Sequence, residues 1–202
     1  MKLPHLLIGC AAGFSGDRTD AALPVVRELI RRGQPAVLMF ETLAERTLAL
    51  AQLARRNQPE AGYEPLLDDL LRPVLGLCME HGIRIVSNFG AANPLGAARR
   101  IRELARELGI KSPRIAVVHG DDVSGLQHRD LLKKMLGATM PCEPIASANA
   151  YIGAEPIADA LRAGADRAWT FRTKVTAPMA EVTDRIVPLD EMFVNGGQKF
   201  DK

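Results

Sequence analysis

Polar side chains that could carry out acid–base or binding chemistry follow several short apolar runs of this sequence. Glu41 comes directly after the run AVLMF, and His119, Asp121 and Asp122 come after the run IAVV. Carboxylates transfer protons or hold hard cations, and amide side chains orient carbonyl groups. Glu41 and Asp121 are therefore the candidate acid–base residues. The candidate ligand-binding positions are Gly13, Ser15, Gly16, Asp17, Asn88, Asn93, Asp122 and Asn149.

The elements that must position these residues show a repeated pattern, in which a helical stretch ends in glycine and an apolar run follows. Examples are RELIRRG before QPAVLMF and RELARELG before IKSPRIAVVHG. Glycine is typical of the position that ends a helix, and continuous apolar runs are typical of strands buried on both faces. The pattern predicts an α/β fold with a mainly parallel sheet, flanking helices and repeated β-α units. Because ligands bind outside the carboxyl ends of such strands, we expect the candidate residues to converge on one rim.

The element boundaries predicted from the pattern cover most of the chain. Strands are predicted at residues 6–9, 36–40, 84–87, 114–118, 143–146 and 167–171. Helices are predicted at residues 19–32, 43–57, 65–80, 94–108, 126–136 and 156–163. Asp17 is placed to cap the first helix, and Thr42 and Glu45 have the spacing of a capping box for the second. We predict a single α/β domain over residues 1–172 and an irregular tail over 173–202, with one short strand near 184–187.

Composition excludes several classes of protein. The 202 residues are 47% apolar and 25% charged, and the net charge of +2 gives no sign of a nucleic-acid partner. No apolar segment approaches the ~20 residues that a membrane span needs, so no membrane association is expected. The three cysteines lie far apart, which is typical of a reducing compartment. These observations predict a cytoplasmic protein.

The glycine-containing loop at Gly9, Gly13 and Gly16 permits two interpretations. It resembles a dinucleotide loop, and Glu41 then lies near the expected ribose-binding position. Against this, Asp17 would stand beside the phosphates, and a smaller anion such as a carboxylate or phosphate is an equal alternative. Tyr151 is followed four residues later by Glu155, so the Tyr-x-x-x-Lys pair of dehydrogenases with this glycine spacing is missing.

Two further kinds of chemistry stay open at this point. Glu41, Asp121 and Asp122 offer oxygen ligands to a cation such as Mg²⁺, although acidic residues after strands also cap helices. No H-x-x-x-H pair indicates zinc. Cys10 and Ser15 are nucleophile candidates without a histidine partner fixed by spacing. The cofactor, if there is one, is unknown, and so is any metal.

Five blocks of the sequence, in order, resemble the acyclic terpene utilisation protein family, the AtuA-like proteins. They are IGCAAGFSGDRTDAA, FETLAERTLALAQLARRNQPEAGYEPLL, RIVSNFGAANPLGAARRIRELARELG, AVVHGDDV and SANAYIGAEPIADALRAGAD. The similarity extends from about residue 8 to residue 166. Family members are longer than this chain, so the resemblance implies a short or truncated version that corresponds to their N-terminal α/β region.

The resemblance implies a bacterial protein linked to the breakdown of isoprenoids such as citronellol and geraniol, which proceeds through acyl-CoA intermediates. The expected partner is a small-molecule ligand, such as an acyl group or an acyl-CoA, bound at the strand-end rim. Whether the protein is an enzyme stays open. The alternatives are a non-catalytic subunit or ligand-binding protein of the same pathway and, third, a nucleotide-dependent oxidoreductase. A homo-oligomer and a complex with other pathway proteins both stay open.

Overall fold

The computed structural model describes residues 6–137, 145, 147–150, 155–162 and 185–187. Its strands are β1 Leu7–Ala12, β2 Ala36–Phe40, β3 Arg84–Ser87, β4 Ala116–Val118 and β5 Arg185–Val187. Its helices are α1 Ala22–Arg32, α2 Glu45–Asn57, α3 Leu67–Leu71, α4 Leu75–Glu80, α5 Pro94–Glu107, α6 Arg129–Leu136 and α7 Glu155–Arg162. Within this described part, no helix is long and apolar enough to cross a membrane.

The described strands form two parallel sheets. In the first sheet β2 lies between β1 and β3, with Leu38 opposite both Gly9 and Ile85. In the second sheet β4 pairs with β5, which lies in the predicted tail where one short strand was expected. The predicted α/β fold with a parallel sheet and flanking helices is thus confirmed. The ends of β1–β3 and the end of β4 nevertheless belong to different sheets among the described residues.

The core lies on one face of the three-stranded sheet. Leu38, Phe40 and Ile85 are buried there, and the Phe40 and Phe89 rings pack with their centroids 5.0 Å apart. Helix α1 approaches β1 closely because Gly9 has no side chain: a Cβ at Gly9 would come within 2.5 Å of Val25 Cγ1. Val25 of α1 therefore packs directly against the backbone of β1 at Gly9.

The opposite face of this sheet corrects the prediction that the strands are buried on both sides. Ile8 is 68% exposed and Met39 is 41% exposed, and Cys10, which stands opposite Met39, is exposed as well. No described element covers these side chains. The continuous apolar runs therefore predicted β2 with its bounds, and β1 with a different extent, since the strand predicted at 6–9 is observed at Leu7–Ala12. The predicted burial is correct only for the helix-covered face.

Helix starts and ends show where local patterns succeed and where they fail. Helix α1 ends as predicted at Gly33, which has φ 61° and donates its N–H to Ile30 O at 3.0 Å. The predicted cap at Asp17 is wrong, because α1 begins at Ala22 and its N-cap residue is Ala21.

The capping box predicted at Thr42 and Glu45 is also wrong. Helix α2 begins at Glu45, and Thr47 Oγ1 accepts the N–H of Ala44 at 2.7 Å. Thr42 instead forms hydrogen bonds to Asn88, which is distant in sequence. The hydrogen bond from Ala44 to Thr47 supplies one half of such a box, two residues later in the chain, because alanine has no side-chain acceptor for the other half.

Other predicted elements differ in extent. The helix predicted over 65–80 is divided into α3 and α4 around Pro73, whose ring cannot continue a helical hydrogen-bond ladder. The predicted helix over 126–136 starts with a 3₁₀ turn at Leu126–His128 before α6. The strands predicted at 143–146 and 167–171 lie outside the described residues, apart from the single position 145.

Candidate functional site

Glu41 and Asn88 meet at the carboxyl ends of β2 and β3. Asn88 Nδ2 donates a hydrogen bond to Glu41 Oε1 at 2.7 Å, and the N–H of Leu43 donates to the same oxygen at 2.8 Å. Asn88 Oδ1 accepts the N–H of Thr42 at 2.7 Å. The adjacent parallel strands β2 and β3 bring these two residues together. The Asn88 amide is engaged by protein groups, so its role in this structure is to orient Glu41.

The loop after β1 is closed by its own carboxylate. Asp17 Oδ2 accepts the N–H of Gly13 at 3.0 Å, and Asp17 Oδ1 accepts the N–H of Arg18 at 2.7 Å. These backbone hydrogen bonds, the Gly13 one first, lower the pKa of Asp17 below its usual value. Gly16 has φ 85°, a conformation that glycine adopts readily, and Ser15 is half-buried. Asp17 therefore occupies the position at which an external anion would bind the Gly13 and Arg18 amides.

Asn93 holds the start of α5. Its Oδ1 accepts the N–H of Gly96 at 3.0 Å, and its Nδ2 lies 2.9 Å from Ala61 O and slightly further from the carbonyls of Pro59 and Glu60. The side chain is buried and saturated with backbone partners. The structure thus places Asn93 as a helix cap that fixes the preceding turn, apart from the Glu41–Asn88 pair.

A second polar cluster lies beyond β4, where Asp121, Asp122 and Asn149 meet. Asn149 Nδ2 donates to Asp121 Oδ2 at 2.7 Å, and Asp122 and Asn149 form an antiparallel bridge. Asp122 Oδ1 accepts hydrogen bonds from the N–H of Ser124 at 2.9 Å and from its hydroxyl at 2.5 Å. Gln52 Nε2 of α2 lies 3.4 Å from Asp122 Oδ2. The sequence-predicted trio Asp121, Asp122 and Asn149 is therefore assembled in space.

Buried polar atoms of this cluster have no partner within the described part of the chain. His119 is 4% exposed and Asp121 is 6% exposed, and both ring nitrogens of His119 and Asp121 Oδ1 lack a hydrogen-bond partner. Burial lowers the pKa of His119 to about 3. Burial also raises the pKa of Asp121, and the hydrogen bond from Asn149 opposes this rise. An unpaired buried polar group costs about 1–3 kcal/mol, so these atoms call for a further partner, which a ligand, an ion or a buried water can supply.

His119 is a residue of this cluster that the sequence places at a strand end without identifying it as a candidate site residue. Its signal was its position directly after IAVV, two residues before Asp121. Gln52 was missed altogether, because a glutamine within a helix carries no local sign of a contact made 70 residues further along the chain. Within the described ranges, no three His, Cys, Asp or Glu side chains are grouped so that they could hold a metal ion. The metal hypothesis for Glu41, Asp121 and Asp122 gains no support there.

Fold and site together define an α/β protein whose polar side chains follow the carboxyl ends of parallel strands. The sequence profile of the acyclic terpene utilisation family protein AtuA matches residues 6–178. The chain therefore belongs to the AtuA family, and this membership indicates a role in acyclic terpene utilisation. Comparisons with curated proteins and with solved structures returned no match.

Proposed function

We propose that this protein acts in the breakdown of acyclic isoprenoids by binding a small acyl-type ligand at the strand-end rim. The observation that carries the proposal is the set of buried, unpartnered atoms on His119 and Asp121. These atoms lie in the part of the chain that sequence patterns assign to the ligand rim of an α/β fold. Family membership supplies the chemical context of the ligand.

Asp121 is the proposed acid in this site, and Glu41 is the proposed base. Asn149 fixes one oxygen of Asp121 and leaves Oδ1 for the ligand. Asn88 and the Leu43 N–H both bind Oε1 of Glu41, which fixes the orientation of that carboxylate. Acid–base catalysis requires groups held in this way within reach of the reacting atoms.

The test is ligand binding by the purified full chain. Geraniol, citronellol and the CoA thioesters of the corresponding acids are titrated in a calorimeter, and Asp121→Ala is expected to weaken binding at least about tenfold, or by about 1.4 kcal/mol. Asp69→Asn, a change on the exposed surface of α3, is the control and should leave the affinity unchanged. Equal affinities in wild type and Asp121→Ala would contradict the proposal, as would an absence of binding to all of these compounds.

A second candidate function is a non-catalytic subunit of the same pathway. Helix α6 and the turn before it favour this candidate, because Leu126 is 83% exposed, Leu131 is 52% exposed and Met135 is 73% exposed. Where such side chains form one contiguous patch, the patch is typical of a surface that contacts another protein. A complementation experiment distinguishes the two candidates. Variants of this protein are expressed in a host that lacks its own family member, and growth on citronellol is measured. Asp121→Ala should abolish rescue if the buried site acts, whereas Leu131→Lys should abolish it if α6 binds a partner.

The third hypothesis, a nucleotide-dependent oxidoreductase, gains no support from the described geometry. The Gly13 and Arg18 amides that a phosphate would need are bound by Asp17. We do not propose it.

A further inference from the structure

We infer that the buried end of the site, formed by His119, Asp121 and Asn149, is uncharged and binds an uncharged ligand oxygen. That oxygen belongs to a carbonyl or a hydroxyl group rather than to a carboxylate or phosphate. The inference rests on the proposed function for the existence of a ligand and specifies the chemical class that the site accepts.

Three side-chain atoms of the site have no hydrogen-bond partner among the described residues and are free to bind a ligand. Asp121 Oδ2 is occupied by Asn149 Nδ2 at 2.7 Å, and Asn149 Oδ1 accepts the hydroxyl of Ser147 at 3.2 Å, which fixes the orientation of the amide. Oδ1 is the oxygen of Asp121 that stays unpartnered, together with both nitrogens of His119. The side chains that carry these atoms are more than nine-tenths buried.

The charge of His119 and Asp121 depends on their burial. Transfer of a charge into a buried position is costly unless an opposite charge or several donors surround it. Within the described residues, no Lys or Arg side chain forms an ion pair with Asp121 or His119, and Asp122 is the nearest titratable neighbour along the chain. Burial alone lowers the pKa of His119, and it is the main cause that raises the pKa of Asp121. Both changes favour the neutral forms of the two residues.

The donors and acceptors that the site offers to a ligand follow from the hydrogen bond between Asn149 and Asp121. Because Oδ2 of Asp121 accepts from Asn149, a proton on this carboxyl group resides on Oδ1 and is available for donation. Neutral imidazole supplies one N–H donor and one nitrogen acceptor. The site therefore offers two donors and one acceptor, which suits a carbonyl oxygen or an alcohol. A ligand carboxylate would find, among the described residues, no Lys or Arg paired with His119 or Asp121 to balance its charge.

The first arm of the test needs no ligand. Infrared difference spectra of wild type minus Asp121→Asn, recorded at pH about 5, should show the carbonyl stretch of a protonated carboxyl group, which carboxylates lack, because burial raises the pKa of Asp121 above its usual 3.8. Imidazole NMR signals, assigned with His119→Gln, should show that His119 stays neutral as the pH falls to about 5. A carboxylate band from Asp121, or protonation of His119 in this range, would overturn the inference whatever the protein binds.

The second arm compares geraniol, geranial and geranic acid, which share a carbon skeleton and differ in the oxygen group. At neutral pH the alcohol or the aldehyde should bind at least about tenfold more tightly than the acid. Asp121→Asn, which is neutral at every pH, should keep this preference, whereas loss of the preference in this variant would show that Asp121 is charged. Tighter binding of geranic acid would also overturn the inference. If none of the three compounds binds, the spectra alone decide the charge of the site, and the proposed function is decided by the titrations with the CoA thioesters.

Discussion

Among the single residues of the site, Asn88 connects the ends of β2 and β3 by hydrogen bonds. It joins the Thr42 N–H and the Glu41 carboxylate through opposite ends of one amide. Asn88→Ala leaves the partly buried Thr42 N–H without its partner, so we expect the free energy of unfolding to fall by about 1–3 kcal/mol. Urea denaturation of the variant and the wild type measures this difference.

A matched control at the same position separates shape from charge. Asn88→Asp keeps an acceptor for Thr42 but brings a second carboxylate against Glu41, and like charges at this distance repel. The destabilisation of Asn88→Asp should therefore decrease as the pH falls and one carboxylate becomes protonated. If the destabilisation of Asn88→Asp does not change with pH, Asn88 does not lie against Glu41.

The buried pair His119 and Asp121 predicts two opposite dependences of stability on pH. His119 has a folded pKa of about 3 against a usual value of 6.5, so the unfolded chain binds more protons between these values. Its contribution to the free energy of unfolding is complete above pH 6.5 and is lost as the pH falls towards 3. Asp121 has a raised pKa, so above its usual 3.8 the folded chain binds more protons and stability falls as the pH rises.

Substitutions separate these two contributions. Asp121→Asn should make the rise of stability with pH steeper, towards about 1.4 kcal/mol per pH unit, because the opposing contribution is removed. His119→Gln should remove the rise that His119 causes. Denaturation midpoints between pH about 4 and 7 measure both effects. Parallel pH profiles for wild type and His119→Gln would mean that His119 is not buried in its neutral form.

At the level of secondary-structure elements, the contact between β1 and α1 depends on Gly9. A Cβ added there would come within 2.5 Å of Val25 Cγ1 and 3.1 Å of Leu29 Cδ1. Gly9→Ala should therefore lower the free energy of unfolding by about 1–3 kcal/mol, the usual cost of an overpacked core. Thermal and urea denaturation measure this change.

Gly76 provides the control for the same chemical substitution. It lies in α4, and an added Cβ would meet Ile110 Cγ2 at 3.9 Å, which is an ordinary van der Waals contact. Gly76→Ala should stabilise the protein by about 0.5–1 kcal/mol, because alanine loses less backbone entropy in a helix. Equal effects of the two substitutions would argue against close packing of α1 on β1.

The same elements show what the sequence could predict. β2 and β3 have the predicted boundaries because each is an apolar run that follows a helix ended by glycine and precedes polar residues. The start of α2 could not be predicted from spacing, because Thr42 forms its hydrogen bonds with Asn88, 46 residues away. The sequence likewise identifies Glu41 and Asp121 as strand-end residues. It does not show which distant residues their side chains contact, because those contacts are tertiary.

Asn93 shows the intermediate case. An asparagine directly before Pro94 is a good helix cap, and this local signal was present in the sequence. Its three carbonyl partners in the turn at residues 59–61 come from a distant segment that no local pattern specifies. The local signal thus indicates the cap that Asn93 forms, whereas its hydrogen bonds to residues 59–61 depend on tertiary packing, and its predicted role in ligand binding stays a prediction.

Across the whole molecule, the site beyond β4 depends on segments that are far apart in the chain. Asn149 contacts Asp121, Gln52 of α2 contacts Asp122, and Arg56 of α2 donates to Ile145 O at 3.1 Å. β4 itself pairs with β5 near the end of the chain. The buried atoms of His119 and Asp121 therefore lie where segments far apart in the sequence come into contact. Such contacts form slowly, because loop-closure entropy opposes them.

The pairing of β4 with β5 leads to a prediction for the complete chain. A chain shortened after residue 184 lacks β5, so the strand Ala116–Val118 loses the neighbour with which it pairs. We expect faster hydrogen exchange at these amides, while amides of β2, which lies between β1 and β3, keep their protection. Hydrogen exchange followed by mass spectrometry measures both strands in one experiment.

The matched control is a chain shortened after residue 187, which keeps all of β5. It should retain wild-type protection at β4, so that any loss in the shorter chain is due to Arg185–Val187. Because His119 and Asp121 follow β4 directly, the shorter chain should also show His119 protonated at mildly acid pH in NMR spectra. Unchanged protection of Ala116–Val118 in the chain that ends at 184 would mean that β4 is held by packing against α5 rather than by its pairing with β5.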